Sequence, residues 1–248
     1  MYNLKKKNIL ISGVGKGLGK EIMGQCINCG AKVFGFTRSK KDFSEIKKKY
    51  KDRVNIFLGD INDQKFLNGL FNYLNKKKIF LNGLINNAGI RQRKDFIKIT
   101  QSDLKEVMNT NFMSLFFLTQ KFLKQSKKKD FGSVVNIGSI VGDRGFADLT
   151  GYASSKSALF GFTKSLAVEL ANKNYNIRVN CINPGFTKTS YFENFKKKKY
   201  LYKWTLKNIP AKRWANSKEI SNLVIFLLSN KSSYINGETI NIDGGWTS

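Results

Sequence analysis

Residues 7–29 constrain the fold more than any other stretch of this chain. Lys7 to Ser12 (K-N-I-L-I-S) is an apolar run long enough for one strand and no more. It leads into Gly13-Val14-Gly15-Lys16-Gly17-Leu18-Gly19, after which Ile22, Met23 and Cys26 recur at helical spacing. Strand, glycine turn and helix in that order form the setting in which a dinucleotide pyrophosphate is held. Gly13 admits the tight turn, and Gly17 and Gly19 let backbone and helix approach the phosphates. The helix N-terminus adds unpaired N–H groups and the positive end of its dipole. An ordinary βα loop can also carry glycines, so this pattern alone does not decide.

The rest of the chain keeps the same alternation. Strands are expected at 8–12, 32–36, 54–58, 81–85, 132–138, 177–183 and 239–242. Helices are expected near 17–29, 42–50, 63–75, 101–126, 151–172 and 217–229. Nearly continuous apolar strands alternating with helices imply a mainly parallel sheet covered on both faces. At 248 residues, with no linker and no internal repeat, 1–248 reads as one domain. Segment 190–212 breaks the alternation and is rich in rings: Tyr191, Phe192, Phe195, Tyr200, Tyr202 and Trp204.

Composition narrows the chemistry by exclusion. Histidine is absent, which removes Ser-His and Cys-His hydrolysis and histidine-ligated metals. No carboxylate cluster takes their place, so no catalytic metal is expected. Cys26-x-x-Cys29 has redox spacing but lies inside the first helix, away from the N-terminus where thiolates are activated, and reads as core packing. The apolar run after the basic trio Lys5 to Lys7 is too short for a signal peptide or a membrane span, so a cytoplasmic protein is expected.

The net charge of +27 invites a nucleic-acid reading. Only seven of the 44 basic residues are arginines, the better phosphate fork, and the lysines fall in runs such as 47–49, 76–78, 127–129 and 196–199. Most of these runs sit at expected helix ends. They read as solvated surface, with no specific nucleic-acid partner.

Tyr152 and Lys156 stand four residues apart in G-Y-A-S-S-K, and so share one face of a helix. A neighbouring ammonium favours a phenolate and draws its pKa toward the working range. Such a tyrosine can give a proton to a carbonyl oxygen or take one from an alcohol. Ser139 stands thirteen residues upstream, at the end of an expected strand. Asn86-Asn87-Ala88-Gly89 follows the fourth strand, Asn111 lies in a helix, and Pro184-Gly185 follows the sixth strand.

With these elements in order, the chain resembles the short-chain dehydrogenase/reductase family along nearly its whole length. The motifs are S-G-V-G-K-G-L-G, Asp60, N-N-A-G, Asn111, Ser139, Y-A-S-S-K, P-G-F-T-K-T and I-D-G-G. Ser12 replaces a more usual threonine and keeps the hydroxyl. The resemblance implies a doubly wound Rossmann fold with a seven-stranded sheet. It implies Tyr152 as general acid or base, Lys156 as its modulator and ribose ligand, Ser139 as holder of the substrate oxygen, and Asn111 as anchor of a water. Cofactor contacts are implied for Gly13, Gly15, Lys16, Gly17, Leu18, Gly19, Arg38, Asp60, Ile61, Asn87, Ala88, Gly89, Tyr152, Lys156, Pro184, Gly185, Thr187 and Thr189. Segment 190–212 would fold over the substrate as a lid, and a homotetramer is the family's usual assembly.

The cofactor follows from residues after the second strand. NAD-preferring enzymes place an acid there for the ribose 2′-OH. This chain has Thr37-Arg38-Ser39, and Arg38 with Lys16 suits the 2′-phosphate of NADP(H); NAD(H) is the weaker fit. For the substrate, a ketone or secondary alcohol, N-N-A-G-I-R-Q-R-K-D-F is similar to sugar-acid reductases of the gluconate 5-dehydrogenase kind. Arg91 or Arg93 would then pair with a carboxylate, and Phe146, Leu149, Tyr191 and Trp204 would line the pocket. The alternative is a 3-oxoacyl-carrier-protein reductase, with basic patches such as 127–129 facing the acidic carrier. A reading of another class is a non-catalytic nucleotide- or RNA-binding protein on the same fold. The intact tetrad argues against it.

Overall fold

The strands found are β1 (Asn8–Ser12), β2 (Lys32–Thr37), β3 (Val54–Leu58), β4 (Gly83–Asn86), β5 (Gly132–Ile137), β6 (Ile177–Pro184) and β9 (Thr239–Ile242). A separate pair, β7 (Thr187–Lys188) and β8 (Ala215–Asn216), is too short to show in a hydropathy pattern. The structure is a computed structural model that describes residues 2–126 and 130–248, so the lysine run at 127–129 lies outside the described residues. The seven main strands form one sheet in the order β3-β2-β1-β4-β5-β6-β9, with every pair parallel. The chain winds outward from β1 to β3, then returns to place β4 on β1's other side. A crevice opens at that switch point, outside the carboxyl ends of the strands.

Alternate strand residues feed two cores, as the two-residue period of a strand requires. On one face Ile9, Ile11, Val33, Val135 and Ile137 pack with α1 (Gly17–Asn28) and α9 (Ser217–Leu228). On the other, Leu10, Phe34, Phe36, Leu84 and Val134 meet α3 (Gln64–Lys76), α5 (Ser114–Gln125) and α6 (Thr150–Asn172). Cys26 belongs to the first core, where burial pushes its thiol well above the ordinary range.

Two elements differ from the sequence expectation. The single helix expected at 101–126 is α4 (Gln101–Met108), a wide π turn at Asn109–Met113, and α5. A single widened turn adds one residue and shifts the apolar phase only once, a break too small to stand out in a long helical pattern. It buries Thr110 and Asn111. Segment 190–212 holds two short helices, α7 (Phe192–Lys196) and α8 (Lys199–Asn208). They have a small core of their own, Phe192, Phe195, Ile209 and Trp214, against which Phe186 and Trp246 pack.

Candidate active site

The glycine turn is held by its neighbour strand. Ser12 Oγ accepts from the N–H groups of Asn87 and Ala88, both at 3.0 Å, and so uses the hydroxyl expected of it. The Asn87 amide donates back to the carbonyls of Ser12 and Gly13, at 3.0 and 2.9 Å. Asn86 points the other way, into a buried ladder with Thr119 and Asn136. The motif N-N-A-G thus ties β4 to the end of β1. A Cβ on Gly19 would collide with the Gly13 carbonyl oxygen and the Asn87 amide. Gly19→Ala is therefore expected to cost about 1–3 kcal/mol through overpacking, read as a lower Tm.

The turn faces a cleft of about 430 Å³ at the switch point. Gly13, Gly15, Lys16, Leu18, Gly19, Arg38, Asp60, Ile61, Asn87, Ala88 and Gly89 line it, as the sequence implied. Thr37, Ser39, Asp42 and Thr110 line it too, and sequence reading missed them. Asp42 is the notable addition. A Cβ on Gly15 would stand 2.5 Å from Asp42 Oδ2 and 2.7 Å from Thr37 Oγ1. No acid follows β2 directly, yet one arrives from the first turn of α2 (Lys40–Tyr50), where Ser39 caps the Asp42 N–H. The signal was the cap spacing Ser39-x-x-Asp42. Arg38 lies at the rim, 3.8 Å from Asp60, with 68% of its side chain exposed. An ion pair so exposed holds Arg38 weakly, leaving it free to turn to another anion.

Gly17, Tyr152, Lys156, Pro184, Gly185, Thr187 and Thr189, also expected at the cofactor, do not line this cleft. Thr189 does reach Gly17: a Cβ there would lie 3.6 Å from the Thr189 Cβ. The segment after β6 therefore borders the start of α1.

The four expected catalytic residues gather beyond Gly89, though not with the contacts first expected. Tyr152 is hydrogen-bonded to the Ser139 hydroxyl. Burial raises the Tyr152 phenol above its ordinary value, against the lowering influence of the Arg91 guanidinium and the Ser139 hydroxyl. Lys156 does not supply the expected pull. Its Nζ donates to the Ile137 carbonyl at 2.8 Å and stands 6.0 Å from the Tyr152 ring centre. Asn111 spends its side chain on the chain after N-N-A-G. It accepts from Ile90 N–H at 2.7 Å, donates to Ile90 O at 2.9 Å, and donates to Ser155 Oγ at 3.0 Å. Water anchoring would therefore fall to its backbone carbonyl.

Lys156 is 4% exposed, and burial lowers its pKa to about 8. Below that pH both folded and unfolded states are protonated, and the fold carries the full cost of the buried ammonium. From about 8 to the ordinary 10.5 the folded state sheds its proton first, so stability rises with pH. That cost is on the order of 3 kcal/mol, less ~1 kcal/mol for the bond to Ile137. Lys156→Met is expected to raise the Tm at pH 7 and to lose that advantage toward pH 10.

The loop after Gly89 separates the two arginines. Arg93 turns to Asp148, 3.4 Å away. Arg91 makes no ion pair among the described residues, and its guanidinium lies 5.2 Å from the centre of the Tyr191 ring. Phe146 stacks on Trp246 at 5.9 Å, Trp246 meets Trp204 of α8 at 5.4 Å, and Phe186 touches both Phe146 and Trp246. Leu149 is buried at the start of α6. Phe186 and Trp246 were not singled out as pocket residues.

Residues 13–247 match a family model described as enoyl-(acyl carrier protein) reductase. The 3-oxoacyl-(acyl-carrier-protein) reductase FabG of Buchnera aphidicola subsp. Schizaphis graminum is 36% identical over 242 residues, covering 98% of each chain. The chain belongs to the short-chain dehydrogenase/reductase family. FabG of Aquifex aeolicus is 34% identical over 250 residues, again covering 98% of both.

Two solved structures agree with the fold. One, provisionally assigned as a gluconate dehydrogenase of Agrobacterium tumefaciens, superposes with a TM-score of 0.92 at 27% identity. A second from that organism, provisionally assigned as a 2-deoxy-D-gluconate 3-dehydrogenase and carrying bound NADP, gives 0.86 at 32%. Each comparison covers 99% of this chain and 98% of the other.

Proposed function

We propose that this short-chain dehydrogenase/reductase interconverts the ketone and secondary alcohol of a small sugar acid, with NADP(H) as its cofactor. The observation that carries the reading is the Arg91 guanidinium, without an ion pair among the described residues, set over Tyr191 and acting electrostatically on Tyr152. A cation placed there suits a substrate whose carboxylate lies near its reacting carbonyl. Arg93, committed to Asp148, does not share that role.

The cleft fits NADP(H). Its glycine turn leaves no room for a Cβ at Gly15 or Gly19, and Lys16 and Arg38 stand at its rim. When bound, the reduced nicotinamide supplies the hydride. Ser139 holds the carbonyl oxygen, and Tyr152, bonded to Ser139, gives the proton that completes the alcohol. In oxidation the same phenolate oxygen takes the proton back. Lys156, held by the Ile137 carbonyl, would bind the ribose of the cofactor. Asn111 fixes Ile90, and through it the neighbouring Arg91. The aromatic wall of Phe146, Trp204 and Trp246 excludes water as the lid at 190–212 closes.

Arg38 is the residue proposed to read the 2′-phosphate. Arg38→Asp is expected to weaken NADPH by about tenfold or more, from the loss of a charged hydrogen bond, and to leave NADH within about twofold. Equal losses for both, measured by fluorescence titration, would contradict the assignment.

A second reading is favoured by a separate observation: the FabG relatives at 36 and 34% identity align end to end. That reading gives 3-oxoacyl thioesters on a carrier protein as substrates. The two are distinguished by assaying NADPH oxidation with 5-keto-gluconate and with an acetoacetyl thioester. Turnover of the thioester alone would set the sugar-acid reading aside.

A further inference from the structure

The lysine runs look scattered in the sequence, but the topology gathers three of them around Lys32. Each connection from a helix back to the sheet ends at the amino edge of the strands, the pole opposite the cleft. There β3, β2, β1 and β4 are neighbours, about 5 Å apart. Residues 47–53 lead into β3 with five basic side chains, Lys32 opens β2, and residues 5–7 and 76–78 bring three each to β1 and β4. Twelve cations thus face one carboxylate, Asp52. None of the twelve forms an ion pair among the described residues, and all but Lys7 are exposed.

Two further observations concern the same edge. Lys6, Lys51 and Lys78 have φ of 63°, 46° and 53°. Left-handed backbone favours glycine, and ahead of β1, β3 and β4 the chain places lysine there instead. Lys7 is half-buried against the Phe131 ring, 4.0 Å from its centre, with Arg178 5.1 Å from the same ring. Burial and the nearby Arg178 charge draw the pKa of the Lys7 ammonium down to about 8, so this one cation of the edge weakens above neutral pH. Tyr73 and Phe80, 38% and 41% exposed, present rings on the flank of this strip.

We propose that this amino edge is a binding surface for single-stranded nucleic acid, independent of base sequence. Eleven of the twelve cations are lysines, point charges that neutralise phosphates without reading bases. Part-exposed rings beside them, Tyr73 with an edge against Phe57, suit base stacking. A bilayer surface would call for an apolar helix face beside the charge, and the exposed apolar groups on this strip are the two rings alone among the described residues. The surface lies away from the cofactor cleft, so binding leaves the reductase site open.

The test is fluorescence anisotropy of a labelled oligouridine titrated with the full chain across a salt series. Binding is expected at about 0.15 M ionic strength, with a slope of log K against log salt of about −3 to −4, as for four to six neutralised phosphates. The triple variant Lys48→Glu, Lys51→Glu, Lys77→Glu should bind at least about tenfold more weakly. It should keep the circular dichroism spectrum and reductase rate of the parent. A control with the same change in charge elsewhere, Lys98→Glu, Lys164→Glu, Lys218→Glu, should stay within about twofold. Equal losses in both variants would reduce the effect to net charge and overturn the proposal. So would a lack of binding at that ionic strength, or binding to phosphatidylserine vesicles without binding to the oligouridine.

Discussion

Tyr152→Phe is expected to lower kcat by about 10²- to 10⁴-fold, the range for loss of a positioned acid–base group. The ring stays and only the hydroxyl goes, so packing at the start of α6 is preserved. NADPH affinity should hold within about threefold, because the proposed cofactor contacts lie chiefly in the glycine turn and at Arg38. The pH profile carries a second check. Burial holds the Tyr152 phenol above its ordinary value, so it stays protonated throughout the neutral range. Ketone reduction, which needs the protonated form, is expected to stay level through neutral pH and to fall only on the alkaline side. Alcohol oxidation needs the phenolate and should climb over that same alkaline range. A variant that turned over normally, with parental pH profiles, would remove Tyr152 from the mechanism.

Arg91→Met should raise KM for a keto sugar acid by about 10- to 100-fold, the worth of one charged hydrogen bond or a bidentate pair. The methionine keeps much of the apolar stem that lies against Tyr191. A neutral ketone should show little change in KM, since it has no carboxylate to lose. Arg91 also lowers the phenol's pKa, so its removal should move the alkaline limb of the reduction profile upward. Arg93→Met is the matched control. Its guanidinium is paired with Asp148, and its loss should leave KM within about twofold, as for an exposed ion pair. Equal effects of the two substitutions would detach the carboxylate from Arg91.

The fold was legible because its signals are local and repeated. The apolar strands and the strand–glycine–helix start can be read one window at a time, and the observed strands deviate from expectation by a residue or two at their ends. The π turn at Asn109–Met113 was not legible, since one widened turn shifts the apolar phase by a single residue, within the scatter of the pattern. The cofactor cleft was readable on the glycine side and less so opposite. Asp42 reaches it through the first turn of α2, and only the Ser39-x-x-Asp42 cap hints at its direction.

That the four proposed catalytic residues lie together was legible, and their partners were not. Spacing places Lys156 on the face of Tyr152, yet its ammonium reaches across to the Ile137 carbonyl on β5. Arg91 and Arg93 stand equal in sequence, whereas in the structure Arg93 pairs with Asp148, 55 residues away. The aromatic wall joins Phe146, Phe186, Trp204 and Trp246 from four separate segments. No single window of sequence contains it.

The most direct measurement is the rate of NADPH oxidation with 5-keto-gluconate, compared between the parent chain and Arg91→Met, with an acetoacetyl thioester run alongside. Turnover of the keto sugar acid, with a KM that rises about 10- to 100-fold in the variant, is the predicted result. Turnover of the thioester alone, indifferent to Arg91, would contradict the proposed substrate and leave the family's reductase chemistry serving an acyl carrier.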